Sequence, residues 1–145
     1  MSNRLEELVW RVESALSTAF EAVEELDALV RRELGGDPSP IGEVQSGFAR
    51  QALSAIREAG ERLRPASRSA SAEEWTWRSS AIGYLLLTAS RAVELLDEQL
   101  RRLRGENPER KTDSGRRALE ALRRAHRELD LLGALVVEGQ AGGVA

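Results

Sequence analysis

Two pairs of carboxylates recur along the chain at the same spacing, and they are the first residues whose types suggest chemistry. Glu24 is followed three positions later by Asp27, and Glu94 is followed three positions later by Asp97. Carboxylates one helical turn apart can bind a divalent cation through their oxygen atoms. However, an arginine follows each aspartate by four residues, which is the spacing of an ion pair on a helix surface. We therefore predict a solvated helix face at these residues, with no metal bound.

His126 is the only histidine, and it is the other candidate for metal binding or for general-base catalysis. A transition-metal site needs several imidazole or thiolate ligands, and the chain contains no cysteine. The sequence has none of the motifs of phosphate-binding loops, of serine or cysteine nucleophiles, or of metalloproteases. We expect His126 to be a half-buried structural residue. The chain is then expected to be no enzyme and to use no cofactor.

Arginine supplies twenty of the twenty-one basic residues, and the carboxyl-terminal part of the chain is rich in it. An arginine strip can contact phosphate groups, so a nucleic acid or another anion is a candidate ligand. Against this, the net charge is −3, no aromatic residues alternate with the arginines, and the acidic first helix would neutralise the strip. The candidate residues for this contact are Arg116, Arg117, Arg123, Arg124 and Arg127.

The three tryptophans are candidates for contact with a partner protein. Trp75 and Trp77 lie two positions apart on one predicted helix, so the two side chains cannot both face the same core. Trp10 falls beside the main apolar stripe of its own helix. Exposed tryptophans are enriched at protein interfaces. We therefore predict a partner interface that includes Trp10, Trp75 and Trp77, formed with another protein or within a homo-oligomer.

The segments that position these residues form an internal repeat in the sequence. Residues 19–38 match residues 89–108 at ten of twenty positions, and residues 51–63 match residues 117–129 at six of thirteen. Two amphipathic helices in the same heptad register would align in part by composition alone. Here the matches extend to polar residues and to the glycine and proline beyond the helix end, which favours a true repeat. The chain therefore reads as one helical hairpin that occurs twice.

Apolar residues recur every three or four positions in four segments, which predicts four amphipathic helices. Caps and helix-breaking residues give their approximate limits. The first helix is predicted at 4–34 with Asn3 as its cap, the second from Ser39–Pro40, the third at about 72–104, and the fourth from a cap at Asp113 or Ser114 to about Glu138.

The connections between these helices are short, so consecutive helices should run antiparallel. We predict an all-α, antiparallel four-helix bundle that forms a single domain over residues 1–145. The sequence divides it into a first hairpin at about 3–64, a linker at 65–71, a second hairpin at about 72–138 and a disordered tail at 139–145.

The composition, 41% hydrophobic and 31% charged over 145 residues, is typical of a folded, soluble domain. The absence of cysteine leaves the redox compartment open. The amino terminus has the acidic residues Glu6 and Glu7 and no apolar run, so no signal peptide is recognised. No apolar stretch is long enough to span a bilayer. We expect a cytoplasmic protein with no membrane partner.

The breaks between helices carry a resemblance to a known group of proteins. GGDP at 35–38 with ALSAIREA at 52–59, and GENP at 105–108 with ALEALRRA at 118–125, resemble uncharacterised helical hairpins of actinobacteria. Similar hairpins precede the toxin domains of some polymorphic toxins. The resemblance implies a packing or adaptor role in a bacterial conflict or secretion system, with no catalytic residue. We therefore expect a non-enzymatic interaction protein, and the alternative is a nucleic-acid-binding bundle that acts through the basic fourth helix.

Overall fold

The chain folds into four α-helices, which we describe from a computed structural model. The structure describes residues 2–35, 47–64, 72–107 and 109–142, and these residues contain no β-strand. The all-α fold class expected from the sequence is confirmed. The helices are α1 (Ser2–Glu33), α2 (Gly47–Leu63), α3 (Ala72–Arg104) and α4 (Asp113–Gly142).

The long helices α1 and α3 end in the same way, at a glycine with a left-handed backbone. Gly35 has a φ of 76° and Gly105 has a φ of 66°, a region that glycine adopts without steric strain. After α3, the Gly105 N–H donates to the Arg102 carbonyl at 3.1 Å and the Glu106 N–H donates to the Arg101 carbonyl at 2.9 Å. This bonding pattern is a Schellman motif, which satisfies carbonyl groups that the helix end leaves open. The helix stops predicted at these two glycines are confirmed.

Helix α4 begins at Asp113, which is earlier than a cap at Asp113 or at Ser114 would allow. The Gly115 N–H donates to the Thr112 hydroxyl at 3.1 Å, so Thr112 is the residue that caps the helix. The prediction that Asp113 or Ser114 caps α4 is wrong. The sequence offers three capping residues in a row, and local preference does not distinguish among them. Thr112 is selected because its side chain also bonds to α3.

Of the other predicted helix limits, some differ from the structure and some lie outside the described residues. Helix α1 begins at Ser2, so Asn3 lies inside its first turn and is not the cap. The predicted start of the second helix at Ser39–Pro40 and the linker at 65–71 lie outside the described residues. Helix α4 continues to Gly142, so the disordered tail predicted from residue 139 is wrong for residues 139–142. Hydrophobic periodicity fades in this segment, but its small residues do not break the helical backbone.

The helices form an antiparallel four-helix bundle, as the sequence predicted. Arg104 Nε near the end of α3 lies 3.3 Å from Glu33 Oε1 at the end of α1, so these two helices run in the same direction. Arg117 at the start of α4 bonds to Glu25 in the later part of α1, so α4 runs opposite to α1. The closest packing is between the two repeats, α1 against α4 and α2 against α3, and α1 touches α3 across the centre. An approximate two-fold axis along the bundle therefore relates one hairpin to the other.

The core is aliphatic, and small residues set how closely its helices approach. Ala19 of α1 and Ala89 of α3 hold equivalent positions in the two repeats, and both are fully buried. Within the described ranges, the one large aromatic side chain that is fully buried is Trp75, which packs against α4 at Gly133. A Cβ atom on Gly133 would lie 2.9 Å from Trp75 Nε1, so this glycine makes room for the indole ring.

Candidate interaction surface

Each hairpin has a groove between its two helices, and the two grooves are built from equivalent positions of the repeat. The first groove, between α1 and α2, has a volume of about 570 Å³, and the second, between α3 and α4, has about 470 Å³. Residues of α1 and α3 correspond at a separation of seventy, and residues of α2 and α4 at sixty-six. The shared apolar floor consists of Leu16 and Ile56 in the first groove and of Leu86 and Leu122 in the second. The repeat thus supplies an internal comparison for every groove residue.

The first groove is lined by an aromatic side chain that the second groove lacks. Phe20 lies in it, and the Arg57 guanidinium stands over the Phe20 ring at 5.7 Å from the ring centre. A cation over an aromatic face at this distance is attracted to it. In the second groove the position of Phe20 is held by Ser90, whose hydroxyl donates back to the Leu86 carbonyl at 2.9 Å. The second groove therefore has a small polar side chain where the first has an aromatic ring.

His126 lies half-buried in the second groove, where the first has Gly60. Its ring approaches α3, because a Cβ on Gly83 would lie 3.7 Å from His126 Cε1. Among the described residues, no group of three or more histidine, cysteine, aspartate or glutamate side chains is arranged to hold a metal ion. His126 lines the groove and adds a polar group to its wall.

The outer face of α3 exposes large apolar side chains where α1 exposes polar ones. Trp77 is 76% exposed, Tyr84 is 71% exposed and Leu87 is 64% exposed. Successive spacings of seven and three residues place them on one side of the helix. The equivalent residues of α1 are Glu7, Ser14 and Ser17. Because the same fold position tolerates polar residues in the first repeat, packing within the bundle does not require the apolar ones.

Charge is reversed at two equivalent positions beside the grooves. Glu21 of α1 corresponds to Arg91 of α3, and Glu61 of α2 corresponds to Arg127 of α4. All four side chains are exposed. The two sides of the bundle therefore share a backbone arrangement and differ in charge and in apolar content.

The arginines of α4 divide into paired and unpaired residues. Arg116 bonds to Asp113 within α4, and Arg117 bonds across to Glu25 of α1. The acidic first helix thus neutralises one arginine of the predicted strip. Within the described part of the chain, the other three arginines of that strip are exposed and have no acidic partner; they are Arg123, Arg124 and Arg127.

The structure separates the three predicted interface tryptophans. Trp75 is 2% exposed and belongs to the core, so its inclusion in a surface interface is wrong. Two positions apart on a helix, Trp75 and Trp77 point in nearly opposite directions, so they could not belong to one surface. Trp10 and Trp77 are both exposed, but they lie on the outer faces of α1 and α3, which point in different directions. Tyr84 and Leu87 were missed, and the repeat alignment was the signal that could have found them.

The prediction of a solvated helix face at the carboxylate pairs is wrong for both aspartates. Asp27 and Asp97 are each 1% exposed, whereas Glu24 and Glu94 are exposed. The predicted ion pairs do form, between Asp27 and Arg31 at 3.1 Å and between Asp97 and Arg101 at 3.0 Å. A signal for burial was present, because each aspartate follows the buried valines Val23 and Val93 by four residues.

The buried aspartate of the second hairpin joins two helices. The Asp97 carboxylate accepts hydrogen bonds from the Thr112 N–H and hydroxyl at the start of α4 and from Arg101 Nε within α3. These partners satisfy a charge that would otherwise be costly to bury. The oxygen atoms of Asp97 are thus occupied by the fold.

Known proteins give no family for this chain. It matches no protein-family model, no curated protein and no solved structure. None of the helices, over the described residues, combines the length and the apolar content needed to cross a membrane. What the surface does must therefore be argued from its own residues.

Proposed function

We propose that this chain is a non-enzymatic interaction module that binds a helical protein surface through one side of its second hairpin. We call this side the α3/α4 face and define it by the exposed residues of α3 and by the groove residues of α4. Its members are Trp77, Tyr84, Leu87, Arg91, Arg123, His126 and Arg127.

The observation that carries the proposal is the replacement of polar residues by exposed apolar ones at equivalent positions of the repeat. Exposing a tryptophan, a tyrosine and a leucine on one side of a helix leaves an apolar patch in water, which soluble domains seldom keep without a use. Tryptophan, tyrosine and arginine are also the residues that contribute most to binding energy at protein interfaces. The second groove next to the patch offers a place for a partner side chain.

Nucleic-acid binding through α4 is the rival proposal, and the unpaired arginines Arg123, Arg124 and Arg127 support it. Two of the five predicted contact residues, Arg116 and Arg117, already bond to carboxylates of the chain. A phosphate backbone would have to compete with those carboxylates. Three remaining cations give only a weak and strongly salt-dependent attraction. We therefore rank the protein partner first.

The resemblance to hairpins that precede polymorphic-toxin domains suggests where such a partner would be found. We propose a component of a bacterial conflict or secretion system, met in the cytoplasm. The identity of genes beside the one that encodes this chain checks this part of the proposal.

Photo-crosslinking in the producing cells tests the binding surface. A photoreactive amino acid is placed at Leu87 in the α3/α4 face, and at exposed Glu109 in the α3–α4 connection as a matched control. We expect a protein adduct from position 87 that disappears when Arg123→Glu is added, and no adduct from position 109. A nucleic-acid adduct would favour the rival proposal. Equal labelling from the two positions, or no adduct at all, would overturn a role for this face.

A gel-shift assay at low salt with a labelled 20-nucleotide single strand tests the rival directly. The variant Arg116→Ala/Arg117→Ala/Arg123→Ala/Arg124→Ala is compared with the unchanged chain. A complex that forms with the unchanged chain and is lost in the variant would support nucleic-acid binding. Absence of a complex at low salt would remove it.

A further inference from the structure

We infer that the partner of the α3/α4 face is a second copy of this chain, bound through the opposite side of its bundle. We call that opposite side the α1/α2 face; its members are Trp10, Ser17, Glu6, Glu13, Glu21, Glu24 and Glu61. The inference rests on the proposed function, because it names the occupant of the same surface. Copies would then associate head to tail.

The α1/α2 face is acidic and has one exposed aromatic anchor. Trp10 is 65% exposed on the outer face of α1, and Glu6 and Glu13 lie one turn before and after it. Glu21 and Glu61 lie farther along, beside the first groove. None of these carboxylates forms an ion pair with another described residue, and they outnumber the two arginines that also line the first groove, Arg57 and Arg64.

The α3/α4 face is basic at two positions where the α1/α2 face is acidic, since Arg91 and Arg127 stand in place of Glu21 and Glu61. Arg91, Arg123 and Arg127 are exposed and make no ion pair within the described ranges, and the same holds for Glu120 in the second groove. Ion pairing is common elsewhere on this bundle, as between Arg102 and Glu98 at 2.6 Å. The opposite charges at these two positions favour contact between the two unlike faces over contact of either face with itself.

The α3/α4 face also offers an apolar groove for the exposed tryptophan of the other face. Trp10 is 65% exposed on the outer face of α1. The second groove has the small side chain of Ser90 where the first groove has Phe20, and Leu87 also lines it. An exposed ring on one copy and an apolar groove on the next are the arrangement that interface anchors use.

The symmetry of the fold decides the kind of assembly. The approximate two-fold axis relates one hairpin to the other, so the two faces point away from each other. A contact between unlike faces is heterologous and leaves a free face at each end. Association should therefore continue beyond a dimer and form open chains whose length grows with protein concentration.

The repeat itself supplies conservative variants for the test, because each change introduces the residue found at the equivalent position. Glu21→Arg/Glu61→Arg places on the acidic face the arginines that the other face carries. Tyr84→Ser/Leu87→Ser places on the basic face the serines of the other repeat. Both variants should fold, which circular dichroism and thermal melting check, since the bundle already tolerates these residues at these positions.

Multi-angle light scattering after gel filtration, over a range of protein concentrations and at low and high salt, gives the mass of each species. We expect the mass of the unchanged chain to rise with concentration at low salt and to fall at high salt. Each variant alone should self-associate at least about tenfold more weakly, because one of its two faces is blocked. The two variants mixed should form a dimer that contains one copy of each and grows no further, since only one pair of intact faces remains.

A charge exchange within one chain completes the test. Combining Glu21→Arg/Glu61→Arg with Arg91→Glu/Arg127→Glu exchanges the charges at the two reversed positions of each face. Self-association should return to within about threefold of the unchanged chain, since the complementarity at these positions is restored. A monomer at every concentration, a closed dimer, or loss of association in the exchanged chain would overturn the inference. A monomer that still crosslinks to a different protein at Leu87 would overturn the inference alone and leave the proposed function standing.

Discussion

The carboxylate of Asp97 accepts two hydrogen bonds from Thr112, fifteen residues later, and so fastens the end of α3 to the start of α4. The Thr112 N–H donates to Asp97 Oδ1 at 3.2 Å, and the Thr112 hydroxyl donates to the same oxygen. That hydroxyl also accepts the Gly115 N–H, which caps α4. One buried carboxylate thus holds the helix cap, and through it the angle between the two helices that form the second groove.

Replacing Asp97 with alanine should be among the most destabilising single changes in the chain. It would leave the Arg101 guanidinium buried without its acidic partner, and breaking a buried pair in this way costs about 3–5 kcal/mol of unfolding free energy. Glu94→Ala is the matched control, because Glu94 is also shared by the two repeats but is exposed. It should change stability by less than about 0.5 kcal/mol. Chemical denaturation followed by circular dichroism measures both, and equal losses would contradict the structural role of Asp97.

The fold was largely predictable because its signals are local. Apolar periodicity gives the helices, and the glycines at 35 and 105 give the ends of α1 and α3, since each needs only its own neighbours. The burial of Asp97 depends on Thr112, which caps the next helix. The helical periodicity of α3 alone does not show that these two residues are neighbours. The second groove was missed for the same reason, because Leu87 and Arg123 become neighbours only when α3 and α4 pack together.

Thr112 should matter to stability through its hydroxyl, and Asp113 should not. Thr112→Ala removes the cap of α4 and one hydrogen bond to Asp97, for an expected loss of about 1–2 kcal/mol. Thr112→Ser keeps the hydroxyl and should recover most of that loss. Asp113→Ala removes only an exposed partner of Arg116 and should cost less than about 0.5 kcal/mol. Urea titration gives the free energy of unfolding of each of the three variants. A larger loss of stability in Asp113→Ala than in Thr112→Ala would mean that Asp113 caps α4.

Substituting alanine for two helical glycines, Gly115 and Gly83, should change the stability of the chain in opposite directions. A Cβ on Gly115 would lie 2.3 Å from Asp97 Oδ1, and that oxygen is held by its bonds to Thr112. Gly115→Ala should therefore destabilise the chain, even though alanine is the better helix former. A Cβ on Gly83 would meet His126 Cε1 at 3.7 Å, which is an ordinary contact. Gly83→Ala should stabilise by up to about 1 kcal/mol. Thermal melting in one buffer gives the sign of the stability change for each variant. A more stable Gly115→Ala chain would mean that α3 and α4 move apart enough to admit the added methyl group.

Substituting Trp75 should lower the stability of the fold and substituting Trp77 should weaken association, although the two residues lie two positions apart. Trp75 fills the core beside Gly133, so Trp75→Ala should cost about 3–5 kcal/mol of unfolding free energy. Trp77 is mostly in solvent, so Trp77→Ala should leave stability within about 0.5 kcal/mol and should weaken binding at the α3/α4 face by at least about fivefold. Denaturation measures the first effect, and light scattering or crosslink yield at Leu87 measures the second. A Trp77→Ala chain that binds as well as the unchanged chain would mean that its exposed ring is not an anchor. The contact would then depend on Leu87 and the arginines alone.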